Sequence, residues 1–237
     1  MLKKTLLVSA FALGFSTIAF AGGLPEEPMA APLATSDTGV YIGLIGGYVN
    51  TNWDNLKTTI NPLNLGLKEI NEGGFGGGAY IGYDFTKYLA AEFDYNYYFN
   101  KPKVSAFHNA AVLDIFEVKS EQAFGLFGKI KAPVYDNFDL YAKIGVGYLY
   151  SQVHALNPLF KDKDYGTFNV AFGVGGDYYI TPNVIAGASW TRYCGQPKPG
   201  DIDVSNLLNS VPQEAVIGKY QPNADLFAIH LAYKFNI

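Results

Sequence analysis

The 237-residue chain carries 17 Lys and Arg against 21 Asp and Glu, a net charge of −4, and no basic cluster that would favour nucleic acid. Aromatics make up 16% and glycine 26 residues, both high for a soluble domain, yet no stretch past the N-terminus reaches the roughly 18 apolar residues of a spanning helix. The single cysteine, Cys194, excludes an internal disulfide.

The chain opens with Met1-Leu2-Lys3-Lys4, runs apolar from Thr5 to Phe20, and reaches Ala19-Phe20-Ala21. A charged head, an apolar centre and a small-residue cut site predict a secretory signal over 1–21. The apolar run is shorter than the ~20 residues of a membrane anchor. Cysteine is absent from the cut site, which excludes a lipoprotein signal. Residues 22–38 hold Pro25, Pro28 and Pro32 with Glu26 and Glu27 and no periodicity, a flexible periplasmic lead-in rather than a proline-rich ligand.

From Gly39 onward apolar residues recur at every second position, the period of a strand with one apolar face. The first strand is predicted over 39–50, with Val40, Ile42, Leu44 and Tyr48 on that face. The second, 74–85, sets Phe75, Ala79, Ile81 and Tyr83 against Gly76, Gly78, Gly82 and Asp84; the third, 88–99, sets Leu89, Phe93, Tyr95 and Tyr97 against Glu92, Asp94 and Asn96. The fourth, 116–132, opposes Phe124, Leu126 and Ile130 to Lys119, Glu121, Lys129 and Lys131. The fifth to seventh follow at 138–151, 166–180 and 184–194. The last, from Ala224 to Ile237, alternates Phe227, Ile229, Leu231, Tyr233 and Phe235 with Ala228, His230, Ala232 and Lys234.

Eight strands alternate between short turns and long loops at 51–73, 100–115, 152–165 and 195–223, with a short helix predicted over Asp203–Asn209. That rhythm predicts an all-β, eight-stranded antiparallel up-and-down transmembrane β-barrel over 39–237. Aromatics fall at both strand ends, as two membrane girdles require: Phe85, Phe138, Tyr178 and Phe235 at one, Tyr48, Phe75, Phe99, Tyr150, Phe168, Trp190 and Phe227 at the other. A soluble barrel would turn its apolar face inward around a ligand. Here the glycines crowd the polar face, at Gly43, Gly47, Gly125, Gly145, Gly147, Gly173, Gly175 and Gly187 among others, and the narrow interior of eight strands wants small residues. Mixed charges at Glu92, Lys129, Lys143 and Asp177 share that face. They can pair across a lumen, whereas each would be costly in lipid.

The chain resembles the membrane domain of the outer membrane protein A family. Leu126-Phe127-Gly128-Lys129-Ile130-Lys131-Ala132-Pro133 with Asp136 to Tyr141 is similar to that family's fourth strand, turn and fifth strand. Gly175-Gly176-Asp177-Tyr178-Tyr179-Ile180-Thr181-Pro182 resembles its sixth, and Leu231-Ala232-Tyr233-Lys234-Phe235 its closing strand. The resemblance implies a charged lumen cluster that blocks or gates water flow, with Glu92, Lys129 and Asp177 as members. The family's arginine on strand seven reads Gly187 here, which leaves Lys143 and Lys234 as candidate partners of Asp177. The peptidoglycan-binding domain that often follows the barrel is expected to be absent, and the last strand to be read by the barrel-assembly machinery despite ending on Ile237.

Chemistry beyond the cluster is sparse. His108 and His154 fall in loops, and no metal-ligand spacing, cofactor motif or His-x-Ser element occurs. Ser189 and His230 on neighbouring strands raise a lipid A-modifying enzyme as the remote alternative, but inside a lumen they would not meet acyl chains. The reading is a monomeric, non-enzymatic barrel of a Gram-negative outer membrane, in contact with lipid and lipopolysaccharide. It presents its loops and is a narrow, mostly closed pore for ions or small solutes. A surface adhesin or receptor gripping a host or phage ligand through the loops is the main alternative.

Overall fold

The computed structural model describes residues 37–51, 66–67, 73–99, 101–108, 111–156, 162–195 and 221–236. The signal at 1–21, nearly all of the lead-in, the helix over Asp203–Asn209 and most of loops 51–73 and 195–223 lie outside these residues.

Among the described residues ten strands run in chain order as β1 (Gly39–Thr51), β2 (Gly66–Leu67), β3 (Gly73–Asp84), β4 (Leu89–Tyr98), β5 (Lys103–His108), β6 (Ala111–Tyr135), β7 (Phe138–Ala155), β8 (Lys163–Tyr179), β9 (Val184–Tyr193) and β10 (Ala224–Asn236). Eight of them close a ring in the order β1-β3-β4-β6-β7-β8-β9-β10, every neighbour antiparallel. The seam joins β1 to β10 from Gly39 opposite Asn236 to Thr51 opposite Ala224. A closed ring has no open edge, which is the condition for crossing lipid with strands.

The alternation sorts the faces as the sequence implied. Leu44, Ile81, Phe93, Leu126, Ile144, Val146, Val174, Ile229 and Leu231 point outward and are 44 to 70% exposed. Their neighbours Tyr41, Tyr80, Glu92, Lys129, Lys143, Asp177 and Lys234 are buried inside. In water so much exposed apolar surface would drive aggregation; against acyl chains it is the solvated face.

The inward glycines make room for large rings. A Cβ on Gly43 would strike the Tyr80 ring, on Gly82 the Tyr41 ring, on Gly175 the Tyr141 ring and on Gly187 the His230 ring. Each tyrosine therefore lies flat across a neighbouring glycine, and the lumen is packed by pairing large with small.

Two aromatic girdles encircle the barrel. At the loop end Tyr95, Phe124, Tyr148 and Phe168 form a chain across four strands, with ring centroids 4.9, 6.2 and 4.5 Å apart. At the turn end Tyr83 pairs with Phe85 and Tyr233 with Phe235. Thr86 and Thr181 shape two of the turns: each hydroxyl accepts from backbone N–H groups two and three residues on.

The strands reach further than the alternation predicted. Segment 100–115 contains β5, which pairs with the start of β6, and segment 152–165 is narrowed because β7 runs to Ala155 and β8 begins at Lys163. β6 has 25 residues, whereas about 9–11 cross the hydrocarbon; the remainder builds a β-ribbon beyond the loop-end girdle. A bulge between Val118 and Ser120 resets the alternation of β6. It turns Lys119 outward to solvent, although period two put it on the inner face with Glu121.

Candidate functional site

The lumen is filled in three tiers. Near the turn end, Lys131 Nζ lies 2.8 Å from Asp84 Oδ1 and 4.0 Å from Asp139 Oδ2, while Lys234 Nζ donates to Asp84 Oδ2 over 2.7 Å. Tyr179 adds a hydroxyl donated to Asp139 at 3.0 Å.

The middle tier is built by β4, β6, β7, β8 and β10. Lys129 and Lys143 are direct register partners on β6 and β7, a placement that repels unless acids intervene. Glu92 intervenes: its Oε1 takes Lys143 Nζ at 2.9 Å and its Oε2 lies 3.4 Å from Lys129 Nζ. Lys129 also reaches Asp177 Oδ2 at 3.0 Å, and Lys143 reaches Asp94 Oδ2 at 3.2 Å. His230 Nε2 contacts Asp177 Oδ1 at 2.7 Å, and the Tyr41 hydroxyl donates to Glu92 over 3.1 Å. The ammonium of Lys129 sits 3.8 Å from the Tyr141 ring centroid and that of Lys143 4.3 Å from the Phe127 centroid, so ring faces stabilise the cations on sides that carboxylates do not reach.

The upper tier is tyrosine and aliphatic. Tyr193 donates to Asp94 at 2.6 Å and receives the Asn96 amide at 3.0 Å. Above it Val49, Tyr98, Leu149 and Leu226 are almost fully buried. Between the two charged tiers, Tyr41, Tyr80, Lys129, Lys131, Asp177 and Tyr179 border a cavity of only about 10 Å³, so the tiers are nearly in contact.

Of the residues singled out from sequence, Glu92, Lys129, Lys143 and Asp177 therefore meet in one network. Lys234 does not join it and belongs to the turn-end tier with Asp84. Asp177 is met by Lys129 and His230 rather than by Lys143 or Lys234, because β10 brings His230 to the place that Gly187 on β9 leaves open. His230 is thus engaged with a carboxylate, while Ser189 is paired in register with Ala228. Asp94, His230, Lys131, Asp139 and the inward tyrosines were not singled out as cluster members. Period two placed them on the polar face, but only the curvature of the ring shows which of them reach one another.

Comparison with known proteins decides the family. A family model described as the outer membrane protein beta-barrel domain matches residues 7–235. This chain belongs to the outer membrane β-barrel family. Its place is accordingly the outer membrane of a Gram-negative envelope. Such barrels turn their short connections to the periplasm, which makes the Asp84–Lys131–Lys234 tier periplasmic and the β5–β6–β7–β8 ribbon external. A Coxiella burnetii protein described as uncharacterized is 25% identical over 268 residues, covering 99% of this chain and all of its own. Among solved structures, the outer membrane protein OprG of Pseudomonas aeruginosa is 12% identical with a TM-score of 0.49, over 86% of this chain and 99% of its own. Neisserial surface protein A is 13% identical with a TM-score of 0.49, over 83% and 97%.

Proposed function

We propose that this barrel is a structural, surface-presenting element of the outer membrane whose lumen is closed at rest by its ion-pair network. The observation that carries the reading is Lys129, held between Glu92 and Asp177 while Lys143 is held between Glu92 and Asp94. Removing one member of a buried pair costs about 3–5 kcal/mol, so spontaneous opening is rare and conductance is low. Single-channel recording in planar bilayers tests this. The intact chain is expected to give infrequent, small openings, and sustained large conductance would overturn the closed lumen. The network serves structure and gating rather than catalysis, and the barrel works without a cofactor.

Export by cleavage after Ala21, contact with lipopolysaccharide at the external girdle and delivery through the assembly machinery by β10 belong to the same proposal. Sequencing the N-terminus of the protein purified from membranes checks the cleavage.

A second reading, a receptor or adhesin, is supported by the external ribbon. β6 and β7 stay paired up to Phe116 opposite Ala155, eight residues past the Phe124–Tyr148 girdle pair. A rigid ribbon standing clear of the membrane is a costly feature for a barrel that only anchors, and suits a surface that a ligand grips.

A further inference from the structure

Six carboxylates and four lysines are buried among the described residues. Asp84, Glu92, Asp94, Asp139 and Asp177 each lie within 4.0 Å of a lysine ammonium. Glu121 does not. It is fully buried on β6, three residues to the external side of Phe124, and among the described residues no donor reaches either of its carboxylate oxygens. The apolar tier of Leu149, Phe127 and Tyr193 separates it from Lys143 in the network below.

Its register partners on both sides carry hydroxyls. Tyr98 on β4 and Ser151 on β7 are its register partners on either side, and both are buried with it. The Tyr98 hydroxyl has no hydrogen-bond partner. Gln221 arrives from the segment before β10, donates its amide to Ser151 Oγ at 2.8 Å and leaves its own carbonyl oxygen buried and unmatched. Four buried oxygens without a hydrogen-bond partner, the two of the carboxylate, the Tyr98 hydroxyl and the Gln221 carbonyl, thus belong to side chains linked at one level of the barrel by the Tyr98–Glu121–Ser151 register and the Gln221–Ser151 bond. Glu121 faces inward in step with Ala123, Gly125, Phe127 and Lys129, and the bulge at Lys119 adds Ser120 and Val118 to the buried side just beyond it.

A buried carboxylate without a partner is strongly unfavourable, and one surrounded by neutral oxygens has the composition of a hard-cation site. We propose that Glu121, Tyr98 and Gln221 form an oxygen-lined site for a hard cation of the alkali or alkaline-earth class at the external mouth of the lumen, with Ser151 orienting Gln221. No His or Cys joins the set, and a carboxylate with neutral oxygens suits a hard cation better than a softer transition metal. The ion ties the β4–β6 pair, already joined through Tyr98 and Glu121, to the segment leading into β10 above the apolar tier. The site lies outside the ion-pair network and does not depend on the closed-lumen reading.

The mature chain in a non-ionic detergent provides the test. Its unfolding temperature, read from the heat-dependent shift on an unboiled gel, is followed in choline chloride while CaCl2 or NaCl is added, for the intact chain and for Glu121→Gln. The intact chain is expected to rise in melting temperature and saturate as the ion binds. Glu121→Gln is expected to melt higher than the intact chain in choline alone and to gain nothing from either ion. Tyrosine-sensitised terbium luminescence, displaced by calcium, is expected from the intact chain and from Lys119→Ala, weaker from Tyr98→Phe, and lost in Glu121→Gln. Equal salt responses in the intact chain and Glu121→Gln overturn the site. So does a protonated-carboxyl infrared band that persists in both ions and vanishes only in Glu121→Gln, since Glu121 then carries a proton in place of the ion. Response to calcium alone or to sodium alone supports the site and selects the ion.

Discussion

Tyr193 and Asp94 stand on opposite walls of the barrel, four strands apart either way round the ring, and the Tyr193 hydroxyl donates to the Asp94 carboxylate over 2.6 Å. One phenol therefore spans the lumen, and the Asn96 amide braces it from the same wall as Asp94. No continuous water column passes a strut of this kind without breaking it.

Tyr193→Phe removes the strut's hydrogen bond and keeps its ring. A hydrogen bond to a charged group contributes about 1.5–3 kcal/mol, so the variant is expected to unfold at lower urea with an unchanged slope. Tyr193→Ala also empties the volume above Phe127 and is expected to cost about 3–5 kcal/mol and to raise conductance. Loss of stability in Tyr193→Ala without any change in conductance would place the closure elsewhere.

Lys129→Met leaves Asp177 with His230, and leaves Glu92 with Lys143 as its one remaining lysine beside the Tyr41 hydroxyl. Single-channel records are expected to show larger or more frequent openings, and equilibrium unfolding a loss of about 3–5 kcal/mol. Restoring the positive charge as Lys129→Arg is expected to recover closure. Conductance indifferent to the charge at 129 would count against the network as the gate.

The barrel was legible in the sequence because a transmembrane strand states its inside and outside at every second residue. Gly43, Gly82 and Gly175 on one face and Leu44, Ile81 and Val174 on the other already separated lumen from lipid. The charged network was legible only in part. Glu92, Lys129, Lys143 and Asp177 stood out as mid-strand charges, but Lys234 looked equivalent and lies in another tier. Depth along the axis depends on strand stagger, which no single strand reveals. The bulge at Lys119 was hidden for a similar reason: the inward set changes parity there, and alternation read from one side carries straight through it.

Placing a lysine on the lipid face tests the sidedness by energy. Val146 is 55% exposed on β7 and Val174 50% exposed on β8. Val146→Lys and Val174→Lys are each expected to cost about 2–4 kcal/mol if they sit near the midplane, read as lower folded yield on an unboiled gel. Val146→Leu is expected to be neutral. Equal yields for lysine and leucine would mean that this face does not meet hydrocarbon.

The external ribbon is expected to be dispensable for the barrel. Lys103 and Glu117 are register partners, so residues 104–116 can be replaced by an Asn-Gly turn without changing the pairing below. The shortened chain should keep its heat-dependent gel shift and its closed lumen. If a ligand uses the ribbon, that variant loses cell-surface binding alone. Failure of the barrel to assemble would show that the ribbon is part of the folding unit.

The most direct measurement follows a nitroxide spin label along β10 in lipid bilayers, in a Cys194→Ala background. Labels at Phe227, Ile229, Leu231 and Tyr233 are expected to collide with oxygen dissolved in the bilayer and to be shielded from a water-soluble nickel chelate. Labels at Ala228, His230 and Ala232 are expected to be shielded from both, with a strict period of two along the strand. Oxygen contact that fails to alternate, or that peaks at Ala228 and His230, would contradict the assignment of glycine, tyrosine and charge to the lumen.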